Sequence, residues 1–152
     1  MVSFDTNVLV YATASLQDPK ALRARDLIAR AMRAGRTILL LQTLAEFANV
    51  AIRKAGIPIE DIIKTINAWR AVLPVQAADE EDLSAALEAV RAHRLPFWDA
   101  LLWASAQRAG LRCLLTEDLQ DGFLLQSVRF VNPFKRANDR LIDEILPPGE
   151  AS

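Results

Sequence analysis

Four carboxylates stand at comparable places along this chain: Asp5, Glu46, Asp99 and Asp118. Asp5 directly follows the apolar run "MVSF", and Asp118 comes just after "RCLLT", with Glu117 and Asp121 beside it. Glu46 and Asp99 fall in the first turns predicted for two helices, one opening at about Leu44 and the other at "PFWDALL". In a parallel sheet, ligands collect outside the carboxyl ends of the strands. Carboxylates gathered at such an edge repel one another and would not all ionise unless a cation neutralised them. Hard oxygen donors of this kind suit Mg2+ or Mn2+. One cysteine and one histidine are too few for a zinc cage. Nothing frames a serine or cysteine with His93 as a nucleophile pair. Cys113, among Leu111, Leu114 and Leu115, reads as an inert buried thiol.

Each acid also has a purely structural role open to it. Asp5 could cap the following helix. Glu46 stands three residues after Thr43, the spacing of a capping box. Asp99 gains from the helix dipole whether or not it binds anything. Asp118 and Asp121 flank a turn ending at Gly122, where aspartate is common. Convergence of the four decides between these readings.

The elements that must position these residues alternate between strand and helix. "MVSF" reads as a first strand, followed by the helical or irregular stretch "NVLVYATAS". Asp18 and Pro19 open an amphipathic helix that Gly35 ends. "TILLL" is a buried strand, and a helix from about Leu44 to Lys54 is stopped by Gly56 and Pro58. "IEDIIKTINAWRAVL" forms a helix closed by Pro74, and "PVQ" a third short strand. "DEEDLSAALEAVRAHR" carries acids at its start and bases at its end, matching the helix dipole. The "PFWDALLWASAQRAG" helix, a fourth strand "RCLLT" and a fifth, "VRFVN", complete an α/β domain with a mainly parallel sheet. Residues 1–134 are expected to form this domain. Residues 135–152 are expected to be a C-terminal extension, a peripheral "ANDRLIDEIL" helix with a frayed end.

Whole-chain properties bound the possibilities. A length of 152 residues, 52% hydrophobic and 24% charged, suits one folded domain with a real core. The uncharged stretch from Thr6 to Gln17 is too short to span a bilayer, and Asp5 interrupts any secretory h-region. The lone cysteine suits a reducing cytoplasm. A net charge of −1 gives no global attraction to nucleic acid, so an acidic pocket acting on RNA needs local cations. Arg36, Arg53, Lys54 and Arg94 are the candidates, near predicted helix and strand ends. Trp69, Val72 and Leu73 could form either core or an interface.

"DTNVLVYA", "QTLAEF", "PFWDALLWASA" and "LLTEDLQDG", in this order and spacing, resemble the PIN-domain ribonucleases, and among them the VapC-type toxins of toxin–antitoxin pairs. The resemblance implies a three-layer PIN fold with a parallel five-stranded sheet in the order 3-2-1-4-5 and helices on both faces. It also implies Mg2+- or Mn2+-dependent endonucleolytic cleavage of RNA that leaves 5′-phosphate and 3′-hydroxyl ends. Asp5, Glu46 and Asp99 match the first three acidic positions, and Asp118 the fourth, with Asp121 as its alternate. Thr6, Asn7 and Thr116 are then candidates to orient the carboxylates. A small antitoxin protein and a second copy of the chain are the implied partners. An aspartyl phosphatase would need a second acid where Asn7 stands. A catalytically silent PIN-like module that binds RNA or protein is the alternative.

Overall fold

The computed structural model describes residues 1–149, so Glu150, Ala151 and Ser152, the tip of the expected frayed end, lie outside the described residues. Its elements run β1 (Val2–Phe4), α1 (Thr6–Thr13), α2 (Pro19–Ala34), β2 (Leu39–Leu40), α3 (Leu41–Arg53), α4 (Ile59–Val72) and β3 (Val75–Gln76). They continue with α5 (Glu80–His93), α6 (Phe97–Arg108), β4 (Cys113–Leu115), β5 (Leu124–Leu125), β6 (Val128–Val131), a 3-10 turn (Arg136–Asn138) and α7 (Asp139–Ile145). β1 pairs in parallel with β4, setting Phe4 opposite Leu115, and β4 pairs in parallel with β6. The short β5 folds back antiparallel on β6. β2 and β3 form a separate parallel pair, linked to β1 through a single bridge between Val2 and Thr37.

Across that bridge the order is β3-β2-β1-β4-β6, the expected 3-2-1-4-5, with β6 as the fifth parallel strand. The difference lies in continuity. β2 stops after two residues because Leu41 already begins α3, and its neighbour is reached through Pro74, which accepts from Leu39 N–H (2.9 Å) but has no N–H to return. One sheet of four strands and one of two result.

Every residue of β1 and β4 is buried, as a parallel sheet covered on both faces requires. On one face Val2, Phe4, Cys113 and Leu115 pack with Leu27, Phe47, Trp69 and Ile142, drawn from α2, α3, α4 and α7. On the other, Leu114 and Phe130 pack with Ala86, Ala100 and Trp103 from α5 and α6. The alternation of β4 side chains between the two clusters follows from the period of two along a strand. Trp69 and Leu73 therefore belong to the core, whereas Val72 is exposed. The C-terminal helix is not peripheral: Ile142 and Leu146 are fully buried in the first cluster. Cys113 is a buried free thiol, pushed up to about 12 by burial. Among the described residues no helix is long and apolar enough to cross a membrane.

Candidate metal centre

Asp5 extends the β1–β4 ladder by one step, its N–H donating to Leu115 O at 2.9 Å. Its backbone is extended (φ −78, ψ 164), and α1 begins immediately after it. Asp5 Oδ1 accepts from Thr6 N–H at 2.7 Å. This bond reaches only the first helical residue and not the second or third, as a strong N-cap does. Oδ2 faces the other way and accepts from the Thr116 hydroxyl at 2.7 Å. Thr116 Oγ1 in turn accepts from Asp118 N–H at 3.2 Å. One buried hydroxyl thus ties the β1 carboxylate to the loop after β4. Asp118 Oδ2 accepts from Asn7 Nδ2 at 2.9 Å, closing the link from α1.

Glu46 joins from the neighbouring helix. It lies in the second turn of α3, because the helix starts at Leu41, three residues earlier than the sequence pattern predicts. The expected capping box at Thr43 is absent, since the Thr43 hydroxyl donates to Leu40 O at 2.7 Å and is buried. Glu46 is therefore free to face α1: Oε2 accepts from the Thr6 hydroxyl, and Oε1 from Gln42 Nε2, both at 2.9 Å. Gln42 Nε2 also donates to Trp98 O at 3.0 Å, which fastens α3 to the start of α6. Asp99 stands in that first turn.

Burial and neighbouring charge both act on these acids. Asp5 is pushed up to about 6, chiefly by burial, against the Thr116 and Thr6 hydrogen bonds and with added repulsion from Asp118 and Glu46. Asp99 is raised by burial first, then by Asp118 and Glu46. Among the described residues none of the four forms an ion pair, although neighbouring Glu117 pairs with Lys20 at 2.6 Å. Beside these acids, the carboxamide oxygens Asn7 Oδ1 and Gln42 Oε1 are buried without a hydrogen-bond partner among the described residues. Each amide gives its nitrogen to carboxylate or carbonyl acceptors, which sets its orientation and leaves the oxygen unmatched.

An all-oxygen donor set with excess negative charge fits a hard divalent cation. Among the described residues no three or more His, Cys, Asp or Glu side chains are gathered closely enough to hold a metal ion together. Mg2+ does not need such a group, since it keeps several waters and uses one or two carboxylates.

The remaining predicted residues are placed less uniformly. Asp121 belongs to another network: it accepts from Asn132 N–H (2.8 Å) and Asn138 Nδ2 (2.9 Å) and pairs with Lys135 at 3.2 Å. Those hydrogen bonds outweigh burial and hold its carboxyl below the usual range. Arg36 sits at the opposite sheet edge, its carbonyl accepting from Val2 N–H at the start of β1. Arg53 ends α3 and Lys54 caps it, seven residues beyond Glu46 and so about 10 Å along the axis. Arg94, the left-handed cap of α5 (φ 55), stands just before the helix carrying Asp99.

Gln42 is absent from the sequence-predicted set; its signal was the i, i+4 spacing to Glu46 on one helix face. Tyr11 and Lys20 are likewise missing from it. Tyr11 donates to Glu117 Oε1 at 2.6 Å while Lys20 Nζ lies over the Tyr11 ring, and together they anchor the loop that carries Asp118.

The PIN domain family model matches residues 2–123. No curated protein matches the chain. Solved structures of the same fold include a toxin–antitoxin complex from Klebsiella pneumoniae, 20% identical, with a TM-score of 0.64 over 89% of this chain and 99% of that one. Another is VapC20 of Mycobacterium tuberculosis, a toxin that cleaves the sarcin–ricin loop, 15% identical with a TM-score of 0.61 over 78% and 90%. A third is VapBC2 from Rickettsia felis bound to a promoter DNA fragment, 14% identical with a TM-score of 0.62 over 86% and 97%.

Proposed function

The chain belongs to the PIN-domain family, and from that premise we propose that it is a divalent-metal-dependent endoribonuclease, the toxin of a toxin–antitoxin pair. One observation carries the chemistry: Thr6, Asn7 and Thr116 tie Asp5, Glu46 and Asp118 into one hydrogen-bonded cluster beside Asp99, and among the described residues none of the four forms an ion pair. Asp5, Asp99, Glu46 and Asp118 are the proposed holders of Mg2+ or Mn2+. When bound, such an ion supplies a water of lowered pKa and neutralises charge on the scissile phosphate.

The chain's own residues prepare that place. Thr6 holds Glu46 and Asp5 together, Thr116 aims Asp5, Asn7 aims Asp118, and Gln42 aims Glu46. Fixing the carboxylates before a ligand arrives lowers the reorganisation required at binding. Asp121 is left out of the metal set because Lys135 already balances its charge. Of the basic candidates, Arg94 stands nearest in sequence to one of the acids, five residues before Asp99.

A small antitoxin protein is the proposed partner, since toxin–antitoxin complexes are among the structures of this fold. Exposed Ile59, Ile63 and Val72 on α4 offer apolar surface for an antitoxin or for a second copy of the chain. The buried free thiol suits a cytoplasmic setting. The test uses purified, partner-free protein and RNA. Cleavage with Mg2+ or Mn2+, 5′-phosphate ends and arrest by EDTA are expected. RNA binding without cleavage under any divalent ion would establish the silent-module alternative instead.

A further inference from the structure

An open groove of about 760 Å3 lies against the acidic site, lined in part by Leu41, Gln42, Glu46, Asn49, Trp98 and Leu101. Glu46 belongs to both places, and Trp98 directly precedes Asp99. Trp98 is 63% exposed, whereas Trp69 and Trp103 are 6% and 3% exposed and sit in the two cores. An indole left in water beside a charged site is a cost without a compensating contact. Its ring is nevertheless propped: Phe97 meets it edge-on, with centroids 5.2 Å apart and planes at 67°. The Trp98 carbonyl is held by Gln42. The groove contains no lysine or arginine among its lining residues, so it offers nothing to a phosphate. Its apolar walls and carboxamide suit a flat heterocycle with polar edges.

We propose that this groove takes one unpaired nucleobase of the RNA, stacked on Trp98, next to the acidic site. The proposal rests on the RNA-hydrolase reading for the identity of the ligand. Base–aromatic stacking is tolerant of sequence because every base has a π-face. Discrimination between bases then falls to the groove's polar edge. There the carboxamides of Gln42 and Asn49 line the groove and are the polar groups a base edge would meet. Stacking requires an extruded or single-stranded base, so the site selects loops over continuous duplex.

Trp98 is the sole exposed tryptophan, and this gives a readout independent of cleavage. A hexaribonucleotide is titrated against the wild-type protein in EDTA and against Asp5→Asn in Mg2+, with an abasic hexamer of equal phosphate number as control. The base-bearing strand should quench the exposed indole emission saturably, the abasic strand should not, and Trp98→Phe should lose the signal. In cleavage assays Trp98→Ala should raise KM about tenfold or more, the effect of one lost stack, with kcat little changed; Trp98→Phe should retain most of the affinity. Equal behaviour of both strands in both titrations, with normal kcat/KM in Trp98→Ala, would overturn the base site while leaving the nuclease reading intact. Base-dependent quenching in a protein that cleaves no RNA would support the groove and sink the nuclease reading. Quenching that follows protein concentration and ignores RNA would assign Trp98 to an interface between copies, and the base site would fall.

Discussion

Two buried aspartates in this molecule have opposite fates. Asp82, in the first turn of α5, is 2% exposed; Asp5, at the end of β1, is 8% exposed. Asp82 is fully provided for. Arg108 reaches it with Nε and Nη2, both at 2.9 Å, Ser105 donates to it at 3.1 Å, and it completes the capping box with Asp79. Although burial works in the other direction, these partners hold its carboxyl below the usual range. Asp5 has two neutral donors, no cation, and two further carboxylates pressing on it. The chain can supply an arginine to a buried acid and does so at α5. At the sheet edge, among the described residues, Asp5 has no such partner.

The sharpest way to break this comparison is to neutralise one acid from each region. Asp99→Asn should lower RNA cleavage by about a thousandfold or more, a loss on the order of 4 kcal/mol in the barrier, with the circular dichroism spectrum unchanged. Asp82→Asn should leave kcat within about threefold and lower stability instead, by about 1–3 kcal/mol, as one acceptor oxygen and the charge facing Arg108 are lost. If Asp99→Asn cleaved like the parent, the uncompensated acids would be a structural accident.

The same contrast should appear in pH dependence, with opposite signs. Asp5 has a raised folded value, about 6 against 3.8, so the folded state holds this proton more tightly than the unfolded chain. Its contribution to the metal-free protein is most favourable below about pH 4 and is lost as pH rises through about 6. Above that, ionised Asp5 costs on the order of 3 kcal/mol. Asp82 behaves inversely: its contribution is present above the ordinary carboxylate range and is lost as pH falls through its depressed value. Melting temperatures from pH 5 to 8 should therefore fall more steeply for metal-free wild type than for Asp5→Asn. Mg2+ should remove the difference. Parallel curves for the two proteins would show that Asp5 carries no such penalty.

Much of this site was legible in the sequence because strand ends and helix starts are marked by local patterns. The apolar runs before Asp5 and Asp118 located both acids at the edge of a parallel sheet, and Pro96 located Asp99 near a helix start. Glu46 is less legible: the pattern puts it in a first turn with Thr43 as a capping residue, whereas α3 begins at Leu41 and the buried Thr43 hydroxyl donates to Leu40 O. Asp121 and Asp118 could not be separated by spacing alone. What separates them is a distant segment, Asn132 to Asn138, that folds back to claim Asp121. Burial of Ile142 and Leu146 was obscured for a similar reason: a short helix with few apolar residues reads as peripheral until its contacts are known.

Smaller effects should come from the residues that aim the acids. Thr116→Val removes the donor to Asp5 and leaves Asp118 N–H unpaired, and Gln42→Ala releases Glu46 from α6. Loss of such supporting bonds weakens metal binding by about 10- to 100-fold. Isothermal titration with Mn2+ should show that weakening in both variants. A Thr116→Ser variant, which keeps the hydroxyl, should recover most of the affinity. Wild-type affinity in Thr116→Val would mean that the hydroxyl serves the loop fold alone.

The smallest expected effect separates the two acids of one loop. Asp118 is exposed and meets only the Asn7 amide and the field of the other carboxylates, whereas Asp121 is engaged by Asn132, Asn138 and Lys135. Asp121→Asn keeps one carbonyl oxygen for the Asn132 and Asn138 donors and loses only the charge toward Lys135. Because that ion pair is largely exposed, its removal should cost only about 0.5–1 kcal/mol by chemical denaturation, with cleavage and Mn2+ affinity within about twofold of wild type. Asp118→Asn should do the reverse, retaining stability while losing cleavage. A collapse of Mn2+ binding in Asp121→Asn with Asp118→Asn unaffected would exchange the two roles. The boundary between compensated and uncompensated acids would then fall within this loop in the opposite sense.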